Sequence, residues 1–90
     1  MKKRLLIFGK VQGVGFRYWL YEKAIKKNIR GYVKNRISGE VEALLIGNDA
    51  DVNELIKQCE KGPSSNVTQV KIQDYKQEYS KKSFDILNSN

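Results

Sequence analysis

The chain has 90 residues, 40% of them apolar, with 17 Lys/Arg against 10 Asp/Glu, no His and one Cys. That length fits one compact domain, and the apolar content suffices for one core, which excludes a disordered chain. A lone Cys59 excludes an intrachain disulfide framework, so cytosol is the expected compartment.

The net charge of +7 is unevenly spread. Residues 1–36 carry 11 Lys/Arg and one acid, Glu22, whereas residues 37–90 carry six Lys/Arg and nine acids. A basic half implies an anionic partner: nucleic acid, an acidic surface or a phosphorylated small molecule. The plain alternative is a set of lysines that keeps a small domain soluble.

The opening MKKRLLIFGK has the basic start of a signal peptide, but its apolar run, Leu5 to Phe8, is too short for one and ends at Gly9-Lys10. Nothing is long enough to span a membrane. Arg4–Gly9 reads as a buried strand. Residues 17–28 read as a helix, with Phe16, Leu20 and Ala24 recurring at i, i+4 and i+8 and Glu22 four residues before Lys26. Residues 30–36 and 40–47 read as a hairpin turning at Ile37-Ser38-Gly39, where Gly39 can supply a positive φ. Asn48 or Asp49 caps a second helix, whose inner face holds Val52, Leu55, Ile56 and Cys59, and Gly62-Pro63 stops it. Residues 67–75 form a fourth strand, and Ser83–Leu87 is a candidate for a short fifth. The order is βαββαβ. With each helix lying between strands, the expected fold is a ferredoxin-like α+β sandwich, an antiparallel sheet with two helices on one face.

The stretch between the first strand and the first helix, GKVQGVGFR at residues 9–17, holds three glycines in seven positions and ends in Arg17. N–H groups at a helix start are unpaired, and the helix dipole favours an anion there. Gly9, Gly13 and Gly15 let the chain curl so that consecutive N–H groups converge. A guanidinium at Arg17 can grip two phosphate oxygens in a fixed fork, which a lysine cannot. The loop reads as a cradle for one tetrahedral dianion; its plain reading is a flexible turn followed by a solvated Arg17. It is neither a Walker A loop nor a G-x-G-x-x-G fingerprint.

Other candidates read as structural. Asp49-x-Asp51 is the nearest approach to a metal-ligand pair and reads as a helix cap. Cys59 lies on an apolar helix face. Tyr18, Trp19 and Tyr21 read as packing residues, one of which can border the loop. Asn35, taken alone, serves the hairpin turn.

IFGKVQGVGFR (residues 7–17) and GYVKNRISGEVEALLIG (residues 31–47) resemble the two signatures of the acylphosphatase family, in the family's order and at its distance. The resemblance runs through nearly the whole chain and includes the ferredoxin-like fold. One departure is Ser38, where the family commonly has Asp before the turn glycine. The resemblance implies hydrolysis of acyl phosphates to a carboxylate and phosphate. It places the catalytic arginine at Arg17, the catalytic asparagine at Asn35, and the phosphate loop at Gly13, Val14, Gly15 and Phe16.

The chemistry is compatible with a chain that lacks His. The leaving carboxylate has a pKa near 4 and needs little help from a general acid. Phosphoryl transfer rests on positioning and on charge stabilisation, and a neutral amide can place a water in line. No metal, no other cofactor and no covalent intermediate are required. The expected partners are small acyl phosphates, with inorganic phosphate as product and inhibitor, for a monomer without a membrane partner. An RNA-binding reading competes, because Arg30-Gly31-Tyr32 matches the start of the RNP1 pattern. The match fails at Lys34 and Asn35, falls on the second strand rather than the third, and gives Arg17 no task.

Overall fold

In the computed structural model, which describes residues 1–63 and 66–89, strand β1 (Lys2–Gly9) lies inside a five-stranded sheet. The remaining elements follow as α1 (Phe16–Lys26), β2 (Arg30–Asn35), β3 (Val41–Ile46), α2 (Asp49–Lys61), β4 (Val67–Asp74) and β5 (Phe84–Ile86). The sheet order is β4-β1-β3-β2-β5. The four strands of the βαββαβ unit pair antiparallel, and the short β5 joins β2 in parallel, so the completed sheet is mixed. This is the ferredoxin-like α+β arrangement, and Ser83–Leu87 contributes its fifth strand at residues 84–86.

Both helices cover the same face. Phe16, Leu20 and Ala24 of α1, with Val52, Leu55, Ile56 and Cys59 of α2, join one buried cluster with Leu5, Ile7, Val33, Val41, Ala43 and Leu45 of the sheet. Strand β3 is buried at all six positions, so it reads as a continuous apolar run interrupted by Glu42. Among the described residues no helix is long and apolar enough to cross a membrane.

Helix boundaries follow local chemistry. At the start of α2, the Asn48 side chain accepts the Asp51 N–H at 2.9 Å and donates to the Asp51 carboxylate at 2.8 Å. Asp49 and Asp51 place negative charge at the positive end of the helix dipole. Helix α1 stops at Lys26, short of residue 28, because Asn28 adopts φ +55°. Its N–H donates to the Ile25 carbonyl at 3.1 Å, and the Ile29 N–H reaches back to the Ala24 carbonyl at 2.9 Å. These two bonds form a Schellman cap, with Ile29 and Ala24 sharing the apolar cluster.

The left-handed residue should be measurable. Asn28→Val is expected to lower the unfolding free energy by about 1–2 kcal/mol, because a β-branched residue bears the full cost of that conformation. Asn28→Gly should match or exceed the parent. Urea titrations of both variants test this; a Val variant as stable as the parent would show that the cap does not end the helix.

Candidate active site

Strand order places the site. β1 and β2 both run antiparallel to β3, so they are parallel to each other and end at the same end of the sheet. They stand two strand spacings apart, about 10 Å. The chain leaving β1 must therefore pass the end of β3 before turning into α1, which brings it beside Asn35, the last residue of β2. β5 also runs parallel to β2 and delivers Ile86 to the same end.

A cavity of about 200 Å³ opens at this meeting point, lined by Val11, Gly13, Gly15, Phe16, Arg17, Tyr18, Asn35 and Ile86. Gly13 (φ +75°) and Gly15 (φ +80°) are both left-handed. A Cβ built on either would touch nothing within 4 Å. Glycine is therefore required here by backbone conformation and not by crowding. Gly15 is the N-cap of α1, and no side chain caps this helix. The Gly15 carbonyl accepts the Trp19 N–H at 3.1 Å, so the N–H groups of Phe16, Arg17 and Tyr18 precede the first intrahelical bond. The positive end of the dipole points to the cavity mouth.

Arg17 is the one charged residue in the lining. Its side chain is half-buried and makes no hydrogen bond or ion pair among the described residues. The Asn35 side-chain oxygen is buried and has no hydrogen-bond partner among them. A buried polar atom without a partner costs about 1–3 kcal/mol; Gln58 Oε1 shares that state, but Asn35 lines the cavity, where a ligand or water can reach it. The cavity thus joins a cation, a helix N-terminus and a polar amide, with no acid.

Five of the six residues assigned from sequence, Gly13, Gly15, Phe16, Arg17 and Asn35, meet at this cavity. Val14 does not line it; its side chain packs against the core. Of Tyr18, Trp19 and Tyr21 on α1, Tyr18 borders the cavity, Trp19 packs on Phe16 with ring centres 5.3 Å apart, and Tyr21 faces Phe84 at 6.4 Å. Val11 and Ile86 were not singled out by sequence, and Ile86 had no signal, because β5 reaches the site only through its parallel pairing. Cys59 is fully buried, and burial, with the nearby Glu60 charge, pushes its thiol up to about 12, so it is no thiolate at neutral pH. Tyr32 of the Arg30-Gly31-Tyr32 run donates its hydroxyl to Glu42, and its ring lies 6.2 Å from that of Tyr79.

Glu42 consolidates the sheet face opposite the helices. Its carboxylate accepts from Tyr32, from Arg4 Nε at 3.2 Å and from Arg36 Nη1 at 2.7 Å. Arg36 directly follows Asn35, so this cluster also anchors the end of β2.

A family model described as acylphosphatase matches residues 3–86. The chain belongs to the acylphosphatase family. An acylphosphatase of Nitrobacter winogradskyi is 48% identical over 61 residues, covering 68% of this chain and 62% of that protein. The chain spans less than two thirds of the length of several curated relatives that it matches, 62 to 64% in three cases. Solved acylphosphatases extend the likeness further. That of Bacillus subtilis is 33% identical with a TM-score of 0.89, over 96% of this chain and 97% of its own. That of Coxiella burnetii is 30% identical with a TM-score of 0.86, over 96% and 90%. With such coverage the shared architecture includes both helices and the β1–α1 loop of this acylphosphatase-family chain.

Acid should loosen this end of the fold. Burial alone would raise the Glu42 carboxyl, but hydrogen bonds from Tyr32, Arg4 and Arg36 outweigh it and hold the group at about 2, against an ordinary 4.5. A depressed folded-state pKa contributes stability above the unfolded value and loses it as pH falls from about 4.5 towards 2. Melting temperature should therefore drop across that window. Glu42→Gln should melt lower at neutral pH and show a flatter acid limb. Parallel melts of the two proteins from about pH 6 downward test this, and identical acid limbs would clear Glu42 of the effect.

Proposed function

We infer that this protein hydrolyses acyl phosphates, cleaving the mixed anhydride to a carboxylate and inorganic phosphate. One observation carries the reading. Arg17 and the uncapped start of α1 face the same small cavity as an Asn35 amide whose oxygen lacks a partner.

The phosphoryl group sits at the N-terminus of α1, held by the N–H groups of the Gly13–Arg17 loop and by the guanidinium fork of Arg17. These donors are fixed before reaction, so they stabilise the charge that gathers on the equatorial oxygens without reorganising. Asn35 holds a water in line with the phosphorus through its amide. The water oxygen forms the new P–O bond as the bond to the acyl oxygen breaks, and the electron pair leaves with the carboxylate. The water's proton passes to a phosphoryl oxygen. The leaving group is a weak base, so no acid need protonate it. Val11, Tyr18 and Ile86 form the apolar side of the cavity and lie against the acyl group. Backbone donors and one guanidinium supply the positive charge, so activity should survive EDTA.

Two substitutions separate the roles. Arg17→Lys keeps the charge and loses the fork, so it should fold and lose most activity. Asn35→Ala should lower kcat by about a hundredfold, the scale of a misplaced nucleophile. Its KM and its competitive inhibition by phosphate should stay near the parent values, because Asn35 holds the water and not the substrate. Phosphate release from benzoyl phosphate, with melting temperature on the same preparations, checks both. A destabilised Asn35→Ala with parental kcat would assign Asn35 to the turn alone.

A further inference from the structure

The loop and the strand that meet at the cavity belong to different parts of the chain, and one side chain joins them. Gln12 Nε2 donates to the Arg36 carbonyl at 2.7 Å and to the Glu40 carbonyl at 3.0 Å. Both protons of the amide are thereby used. Among the described residues no other hydrogen bond joins loop residues 10–15 to hairpin residues 35–40. The two accepting carbonyls are the hairpin's own frame: Arg36 O also accepts the Gly39 N–H at 3.0 Å, and Glu40 O accepts the Arg36 N–H at 2.8 Å. Gln12 thus grips the hydrogen-bonded base of the turn.

Position in the chain gives the contact its consequence. Gln12 immediately precedes Gly13, the first glycine of the anion loop, and Arg36 immediately follows Asn35. The tether therefore spans from one residue outside the phosphate cradle to one residue outside the water-holding amide. Up to Ile7 and Asn35 the two halves are held through Val41 of β3, which pairs with both; beyond that ladder each half has its own anchor. Lys10 N–H donates to Asn66 O at 3.0 Å on the loop side, and the Arg36 guanidinium is held by Glu42 on the hairpin side. Neither fixes one half against the other.

We propose that Gln12 is a positioning residue that sets the distance between the phosphate cradle and Asn35, through its two hydrogen bonds to the β2–β3 turn. The proposal rests on the hydrolase reading above. Its chemical logic is that in-line attack needs phosphorus and water in register to well under 1 Å, while phosphate binding needs only the cradle. Cutting the tether should leave each half competent and misalign the two.

Gln12→Met keeps the length of the side chain and removes both donors. Gln12→Glu keeps the shape and turns oxygen lone pairs towards two carbonyls, so it should be the worse of the two. For Gln12→Met, kcat for benzoyl phosphate should fall by about tenfold or more, with the phosphate inhibition constant within about threefold of the parent. In an Asn35→Ala background the same substitution should cost less than about twofold, since a tether has nothing left to align. Additive losses in the two backgrounds, or an inhibition constant that rises in step with the loss of kcat, would make Gln12 a residue of general structure and overturn the proposal. A further readout is independent of turnover. In the parent protein the Gln12 side-chain amide protons should exchange with water more slowly than those of exposed Gln69, and equal rates would show the tether absent in solution. Slow exchange with parental Gln12→Met turnover would overturn the positioning role alone and leave the hydrolase reading intact. A parent protein that released no phosphate would overturn both.

Discussion

A strand that ends at the edge of a sheet and a helix that starts nearby pose a geometric problem, because the chain must turn sharply without capping the helix. Here the problem is solved by two left-handed residues, Gly13 and Gly15. Any side chain that could cap α1 from Gly15 is absent, because the left-handed conformation there requires glycine. The unpaired N–H groups are a cost that every helix start bears. In this fold the cost falls beside a half-buried guanidinium with no counter-ion among the described residues, so the two sources of positive potential reinforce each other. A phosphate satisfies both at once, which neither water nor a neutral ligand does as well.

Sheet topology makes that loop useful. Had β1 and β2 been adjacent and antiparallel, their carboxyl ends would lie at opposite ends of the sheet. The insertion of β3 between them makes them parallel, and a second parallel strand, β5, completes the same rim. Residues from positions 11, 17, 35 and 86 can then share one small cavity although they are far apart in the chain. The fold by itself does not dictate chemistry; it dictates which loop ends can collaborate.

Much of this was legible from the amino-acid order, and the exceptions have physical causes. The helices were readable because Leu20 and Ala24, and Val52, Leu55, Ile56 and Cys59, fall at helical spacing and do become core. The hairpin turn was readable from Gly39, which takes φ +110°. Helix α1 ends early because Asn28 accepts a left-handed conformation, a tolerance that residue type permits without demanding. The glycine loop and Arg17 were visible as a candidate anion site, while Asn35 stood out only through the family signature. Gln12 and Ile86 were invisible for a different reason. Their partners, the Arg36 and Glu40 carbonyls and the rim of β2, are defined by tertiary pairing, and no local pattern encodes a side chain reaching a backbone oxygen 24 residues away.

Charge asymmetry shows how such pairing changes the meaning of composition. Residues 1–36 are strongly basic, and an excess of that kind is the signature of a polyanion surface. In the folded chain four of those cations meet acids of the other half: Lys3 pairs with Asp74, Lys27 with Glu54, and Arg4 and Arg36 share Glu42. Arg30 is occupied differently, donating to the Tyr79 and Lys81 carbonyls at 2.7 and 2.8 Å and lying over the Tyr79 ring. The asymmetry along the chain is thus partly an asymmetry between pairing partners, brought together by a sheet in which β3 and β4 flank β1 and, for Lys27 and Glu54, by the helix layer. The exposed pairs add little stability individually. Their effect on the field is larger, because each neutralises a cation that would compete for an anionic ligand. Arg17 lies at the cavity without such a partner and beside the uncapped start of α1, so at that point its charge and the helix dipole add.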